Sequence, residues 1–315
     1  MGWKILAAWR WLPALVRAPI VAFVVLNIGA TATALPLFGN LKFHPEIPWA
    51  FPATLIVLAM FWYYFTGGGF PVATREVRQS VARRKSLPWP IWRATALPLL
   101  FSVIAVASFR LVLPSILPVE APKVPFDLNA YPFLTVAGIL FSIIVSAGVV
   151  EEVAFRGYLQ KPLEDAYGIL PALFLTGIAF WLAHIDKVSF SHLPFHLLVS
   201  ILLGLAAYLT KSLLPAIVGH AAGDALLQPA YLFQKPTFVW SALTAKPVWE
   251  HGNATAFDQK ARLIMQAMAP SNLTQPGSHQ IFAILAWAFI VSAILTAIFF
   301  VRLERVSRTE RLAGP

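Results

Sequence analysis

Eight stretches of mostly apolar residues run along this chain, near 18 to 39, 49 to 67, 94 to 116, 133 to 158, 170 to 190, 193 to 211, 213 to 232 and 281 to 302. Each approaches the roughly 20 residues that a helix needs to cross the hydrocarbon of a bilayer. Across the 315 residues, 58% are hydrophobic, 12% are charged and the mean hydropathy is +0.71. Soluble domains carry about a quarter charged residues, so that class is excluded. High hydrophobicity with little charge also excludes a disordered chain. With no cysteine, a disulfide scaffold, thiol catalysis, Fe–S ligation and Cys-based zinc sites are excluded. The expectation is an all-α integral membrane protein, a bundle of about eight transmembrane helices with a cavity for chemistry inside the membrane. There is no internal repeat and no low-complexity segment, so residues 1 to 315 read as one polytopic domain.

The net charge of +10 and isoelectric point near 10.0 read as a topology signal, because the basic residues flank the apolar stretches. An even number of spans puts both termini on one side. Sixteen of the 24 Lys and Arg residues then share that side, among them Arg17, Arg75, Arg78, Arg83, Arg93, Arg156, Lys161, Lys211, Arg302, Arg305, Arg308 and Arg311. Both termini are therefore expected in the cytoplasm, which in a bacterium makes this an inner-membrane protein. The other side receives the loop around Glu120 to Tyr131 and an extramembrane loop, 233 to 280, too polar to span. Residues 71 to 88 read as a basic loop in preference to an interfacial helix. Arg10, Arg17 and Ala32-Thr33-Ala34 resemble a signal peptide with its cleavage site. A retained first span is expected, since its loss would put the basic 71 to 93 region and the basic C-terminal tail on opposite sides.

Ionisable side chains inside a bilayer are costly and mark function by default. Three places carry them: Glu151-Glu152-Val153-Ala154-Phe155-Arg156, Phe180-Trp181-Leu182-Ala183-His184 and His220-Ala221-Ala222-Gly223-Asp224. Each holds a pair at i, i+4, which stacks two side chains on one helix face. Glu152 with Arg156, Phe180 with His184, and His220 with Asp224 then converge on one pocket. Matching their depths requires the fourth helix to continue past Val150 to about Leu159, with Arg156 snorkelling toward the cytoplasmic interface. Arg110 reads as a snorkelling charge at the far interface. His192 and His196, also at i, i+4 but without a carboxylate beside them, read as solvated or interfacial.

Two carboxylates, two imidazoles, an Asp and an Arg suit the activation of water for attack on a carbonyl. Glu151 and His184 are placed to share that water, and His220 with Asp224 to meet a developing oxyanion. The same residues admit a second reading, with zinc held by Glu151, His184 and His220 and the fourth position left to water. No HExxH motif is present, and the metal-free reading with no cofactor is preferred. A transporter or a non-catalytic scaffold using the buried polar residues is the rival from another class, although no inverted repeat supports a transporter.

The ordered set EExxxR, FxxxH and HxxxD, with the lead-in Leu214-Pro215-Ala216-Ile217-Val218-Gly219-His220, resembles the CPBP family of intramembrane proteases, which includes type II CAAX prenyl endopeptidases and bacterial Abi proteins. The resemblance covers a core of 133 to 232. It implies a glutamic-type endopeptidase cutting near the C-terminus of a membrane-anchored protein or peptide, with lipid and no nucleic acid as surroundings. It further implies that Glu151 and His184 polarise the water, that Glu152 and Arg156 balance charge, that His220 and residue 224 stabilise the oxyanion, and that Phe180 packs beside the site. The family's prenyl endopeptidases usually carry Asn where this chain has Asp224. An ionised carboxylate only accepts hydrogen bonds, so oxyanion donation by residue 224 is put in doubt; orienting His220 or binding a metal are the alternatives. Prenylated tails, or the sorting tail or leader of an exported or lipid-linked protein, are the expected substrates.

Overall fold

The computed structural model describes residues 11–83, 87–117, 131–184, 190–227 and 278–312. Within them the chain is helical and has no strand. The helices are α1 (Ala14–Lys42), α2 (Ala50–Phe65), α3 (Arg75–Val81), α4 (Trp89–Val112), α5 (Phe133–Ser146), α6 (Lys161–Tyr167), α7 (Ile169–Leu182), α8 (Leu193–Thr210), α9 (Leu214–Leu227) and α10 (Ser278–Leu312). Between α5 and α6 the rod does not break. It continues through π-helical turns, Ala147–Glu151 and Val153–Gln160.

Local sequence explains the boundaries. Pro90 and Pro194 sit in the first turns of α4 and α8, where a missing N–H costs nothing. Gly168, at φ +82°, takes the left-handed conformation that reverses the chain from α6 into α7. Each apolar stretch in the sequence supplies a helix among the described residues, but the helix lengths differ from the expectation of eight spans. Five helical runs are long and apolar enough to cross a membrane: Ala14–Lys42, Trp89–Ser115, Leu134–Tyr167, Phe190–Thr210 and Phe282–Leu312. At 1.5 Å per residue, α2 reaches only about 24 Å and α7 about 21 Å, short of a hydrocarbon core of about 30 Å, and the described part of α9 spans about 21 Å. The stretches that feed α7 and α9 run on into 185–189 and 228–232, outside the described residues, as does most of the 233 to 280 loop; its last residues, from Ser278, already belong to α10.

The outer surface is apolar. Phe23, Met60 and Leu170 are 66%, 67% and 76% exposed, an arrangement that lipid rewards and water would not. α10 lies along α4, with Phe101 and Phe299 stacked at 5.5 Å and Phe109 on Phe289 at 5.1 Å. α1 packs on the π-helical segment, where a Cβ on Gly29 would stand 2.4 Å from Val150; only glycine permits that approach.

The 71 to 88 region corrects the loop reading, since Val72–Thr74 and α3 make a short helical element. Its Arg78 is buried and donates to the carbonyls of Tyr64, Gly68 and Pro71. The guanidinium thus takes the place of water against the backbone carbonyls at and past the end of α2. Arg83 likewise leaves the surface, donating to the Ala207 carbonyl at 3.1 Å and to Glu164.

Candidate active site

The π-helical turns set the first half of the site. A wider turn, bonded i→i+5 instead of i→i+4, brings consecutive side chains closer in direction. Glu151 lines a cavity, and Glu152, wholly buried, turns into the packing behind it. Glu152 and Arg156 are wholly buried and joined through Nη1 and Oε1 at 2.8 Å. The expectation that Arg156 snorkels is corrected: its guanidinium stays inside, 5.0 Å from the centre of the Phe180 ring and 3.4 Å from the Ser200 carbonyl. A carboxylate at the next turn outweighs distant water for a side chain whose surroundings are entirely packed.

The second half comes from α7 and α9. Gly148 lets α9 approach the π segment, since a Cβ there would lie 3.1 Å from the Ile217 carbonyl oxygen. His220 thereby reaches Glu152: its Nδ1 donates to Oε1 at 2.7 Å. The same Glu152 oxygen thus accepts from both Arg156 and His220, and Glu152, not Asp224, orients the ring. That corrects the orienting role considered for Asp224, which approaches the other nitrogen, Nε2, at 3.9 Å. His184, just past the end of α7, donates from Nδ1 to the Phe180 carbonyl at 2.8 Å. This fixes its tautomer when neutral and leaves Nε2 facing the site.

Glu151 stands between the two imidazoles. Its Oε1 is 3.9 Å from His184 Nε2, and its Oε2 is 3.9 Å from His220 Nε2. These gaps are too long for direct hydrogen bonds and suit bridging by a water molecule. Phe180 is the plate that ties the groups together, 4.9 Å from the His184 ring, 6.1 Å from His220 and edge-on to Phe155 at 5.1 Å. Of the seven residues singled out from sequence, all are brought to one place. Five of them, Glu151, Phe180, His184, His220 and Asp224, line a cavity of about 370 Å³, whose other walls come mainly from α4 and α8; Glu152 and Arg156 lie behind it.

Sequence reasoning missed two walls of this cavity. His192 and His196 are buried, 1% and 6% exposed, and line it, which corrects the solvated reading. His196 donates from Nδ1 to the His192 carbonyl at 2.9 Å and lies 5.1 Å from the His184 ring. The signal was their i, i+4 spacing, the same as in the other three motifs. Arg110 also lines the cavity, over the Phe195 ring at 5.4 Å, where a snorkelling charge was expected.

A zinc ion bound by Glu151, His184 and His220 would need donor atoms about 3.4 Å apart, given ligand distances of about 2.0 to 2.1 Å in a tetrahedron. Glu151 is 3.9 Å from each imidazole, and no group of three such residues closes to metal-ligand spacing among the described residues. The donor set fits the metal imperfectly, and no step below passes through one.

No curated protein matches the chain, and no solved structure does. Residues 132–226 match the family described as type II CAAX prenyl endopeptidase Rce1-like, a stretch that contains all seven residues of the site. That family consists of proteases that act on membrane-anchored proteins in the setting of a bilayer. Residues 132–226 of the chain thus carry a domain of the CAAX-type membrane protease family.

Proposed function

We propose that this protein is an intramembrane endopeptidase that hydrolyses a peptide bond near the C-terminus of a membrane-anchored protein or peptide, with both termini in the cytoplasm. The observation that carries the reading is Glu151 standing 3.9 Å from two imidazole nitrogens at the wall of a cavity large enough for a few residues of extended chain. Glu151 takes the proton of a water molecule held with His184, and the hydroxide attacks the scissile carbonyl carbon. His220 meets the oxyanion through Nε2. Because its Nδ1 already donates to Glu152, Nε2 donates only when the ring carries both protons, and the carboxylates of Glu151, Glu152 and Asp224 around it offset that charge. Arg156 balances Glu152. The proton on Glu151 then passes to the leaving amine, and both products are released. No nucleophilic side chain is needed for a covalent intermediate.

The test is cleavage of membrane-anchored peptide tails by the purified protein in lipid, read by mass spectrometry of the new C-terminus, with and without a chelator. A single cleavage position, kept in chelator, supports the reading. Cleavage abolished by chelator and restored by zinc would move the assignment to the metal version with the same ligands. Tails that bind and are never cut would leave a scaffold.

A further inference from the structure

Depth within the bundle separates two ends of the site. The basic residues that begin or end helices on one face, Arg93, Lys161 and Lys211, mark a plane from which each cavity residue can be counted. At 1.5 Å per residue, His220 lies about 13 Å above Lys211, and Glu151, above Lys161 along the wider, shorter-rise π turns, lies somewhat less deep. Arg110 lies about 25 Å above Arg93, and His192 about 28 Å above Lys211. The cavity that Glu151 and His220 share with Arg110 and His192 thus starts at mid-bilayer and extends away from the basic plane. It reaches the far interface of a hydrocarbon layer about 30 Å thick.

The opposite direction is closed. Every residue from Glu152 to Gln160, the stretch between Glu151 and the basic plane, is buried. Tyr158 donates to the Phe65 carbonyl at 2.8 Å, and Gln160 to the Gly204 carbonyl at 3.0 Å, which binds α2 and α8 across that floor. The side chains of Glu151, His184 and Asp224 keep 18%, 24% and 27% of their surface, against none for Glu152 and Arg156. Among the described residues, the basic face is shut off from the reacting groups, and the cavity leads toward the opposite one.

Building on the protease reading, we infer that substrate enters from the face opposite the basic belt, which the positive-inside rule makes extracytoplasmic. The substrate class is then a membrane-anchored polypeptide whose cleaved tail lies outside the cytoplasm, and a tail presented from the cytoplasm is excluded. The largely apolar wall, with Arg110 at its outer end, suits an apolar segment that ends in or carries a negative charge.

The chain has no cysteine, so single introduced thiols report side of access without background. Val103→Cys and Val199→Cys place a thiol on the cavity wall, and Thr309→Cys places one on the exposed basic end of α10. Each variant is treated with a membrane-impermeant maleimide in intact cells and in inverted vesicles, with a permeant maleimide confirming that the thiol reacts. The inference expects both wall positions to label in cells and Thr309→Cys to label in inverted vesicles. Wall thiols that label from the same side as Thr309→Cys, or that only the permeant reagent reaches, overturn it. A wall thiol unreactive even to the permeant reagent overturns it as well, because the cavity is then closed. Labelling does not depend on turnover, so failure of the protease reading leaves this result intact.

Discussion

Removing one partner of the Glu152–Arg156 pair leaves a charge in a fully buried place. Both side chains are 0% exposed and meet at 2.8 Å. With charge centres about 4 Å apart and an effective dielectric near 20, their attraction is about 4 kcal/mol. Breaking a buried pair by deleting one partner costs about 3 to 5 kcal/mol, because the other charge stays desolvated. Glu152→Leu is expected to lie at the top of that range, since it strips both Arg156 and His220 of their acceptor. Arg156→Leu leaves Glu152 with His220 and is expected near the bottom. The double variant removes both charges and should recover most of the stability while still lacking activity, since His220 Nδ1 has lost Glu152. Reversible unfolding in mixed micelles, titrated with SDS, measures the free energies; cleavage measures the activity. Additive losses in the double variant would refute the reasoning, because they would mean that the two charges do not interact.

Other expectations concern how the site is assembled. Gly148→Leu places a side chain where a Cβ already lies 3.1 Å from the Ile217 carbonyl; it should push α9 off the π segment, cost about 1 to 3 kcal/mol and abolish cleavage, with Gly148→Ala milder in both readings. His184→Gln should lower kcat by about 10²- to 10⁴-fold, the usual worth of a positioned acid–base group, whereas His196→Phe, which keeps a ring against Phe180 and touches no reacting atom, should change kcat by less than about tenfold. If the two losses were equal in a kinetic comparison, His184 would be no closer to the chemistry than His196. Arg110→Met should raise KM and spare kcat for a tail that ends in a carboxylate, as loss of uniform binding does; an equal KM for that tail and its C-terminal amide in the wild type would remove the reason for expecting it.

The polar residues of the site were legible because lipid makes them conspicuous. Glu151, Glu152, Arg156, His184, His220 and Asp224 interrupt apolar sequence, and their i, i+4 spacings give the shared faces. What the pattern does not encode is direction at the level of a single turn. Ala147-Gly148-Val149-Val150 reads as any apolar helix, and nothing in it announces the π turns that carry Glu151 and Glu152. Arg156 has the reach to snorkel, and only the packing of its neighbours decides against it. His192 and His196 lie at the start of an apolar stretch, so composition alone places them at an interface. The short 3-10 turn Phe190–His192 instead tucks them under α7. Helix existence followed from hydropathy; helix length did not, because α2 and α7 end in backbone caps at Thr66 and Ala183 before their apolar stretches do.

The central claim is that Glu151 activates the attacking water. Glu151→Gln preserves size and hydrogen-bonding reach while removing the base, so single-turnover cleavage of a bound tail, with binding measured in parallel by fluorescence, isolates the step. The account predicts unchanged binding and a rate lower by about 10²- to 10⁴-fold. A variant that cleaves at the wild-type rate would contradict it.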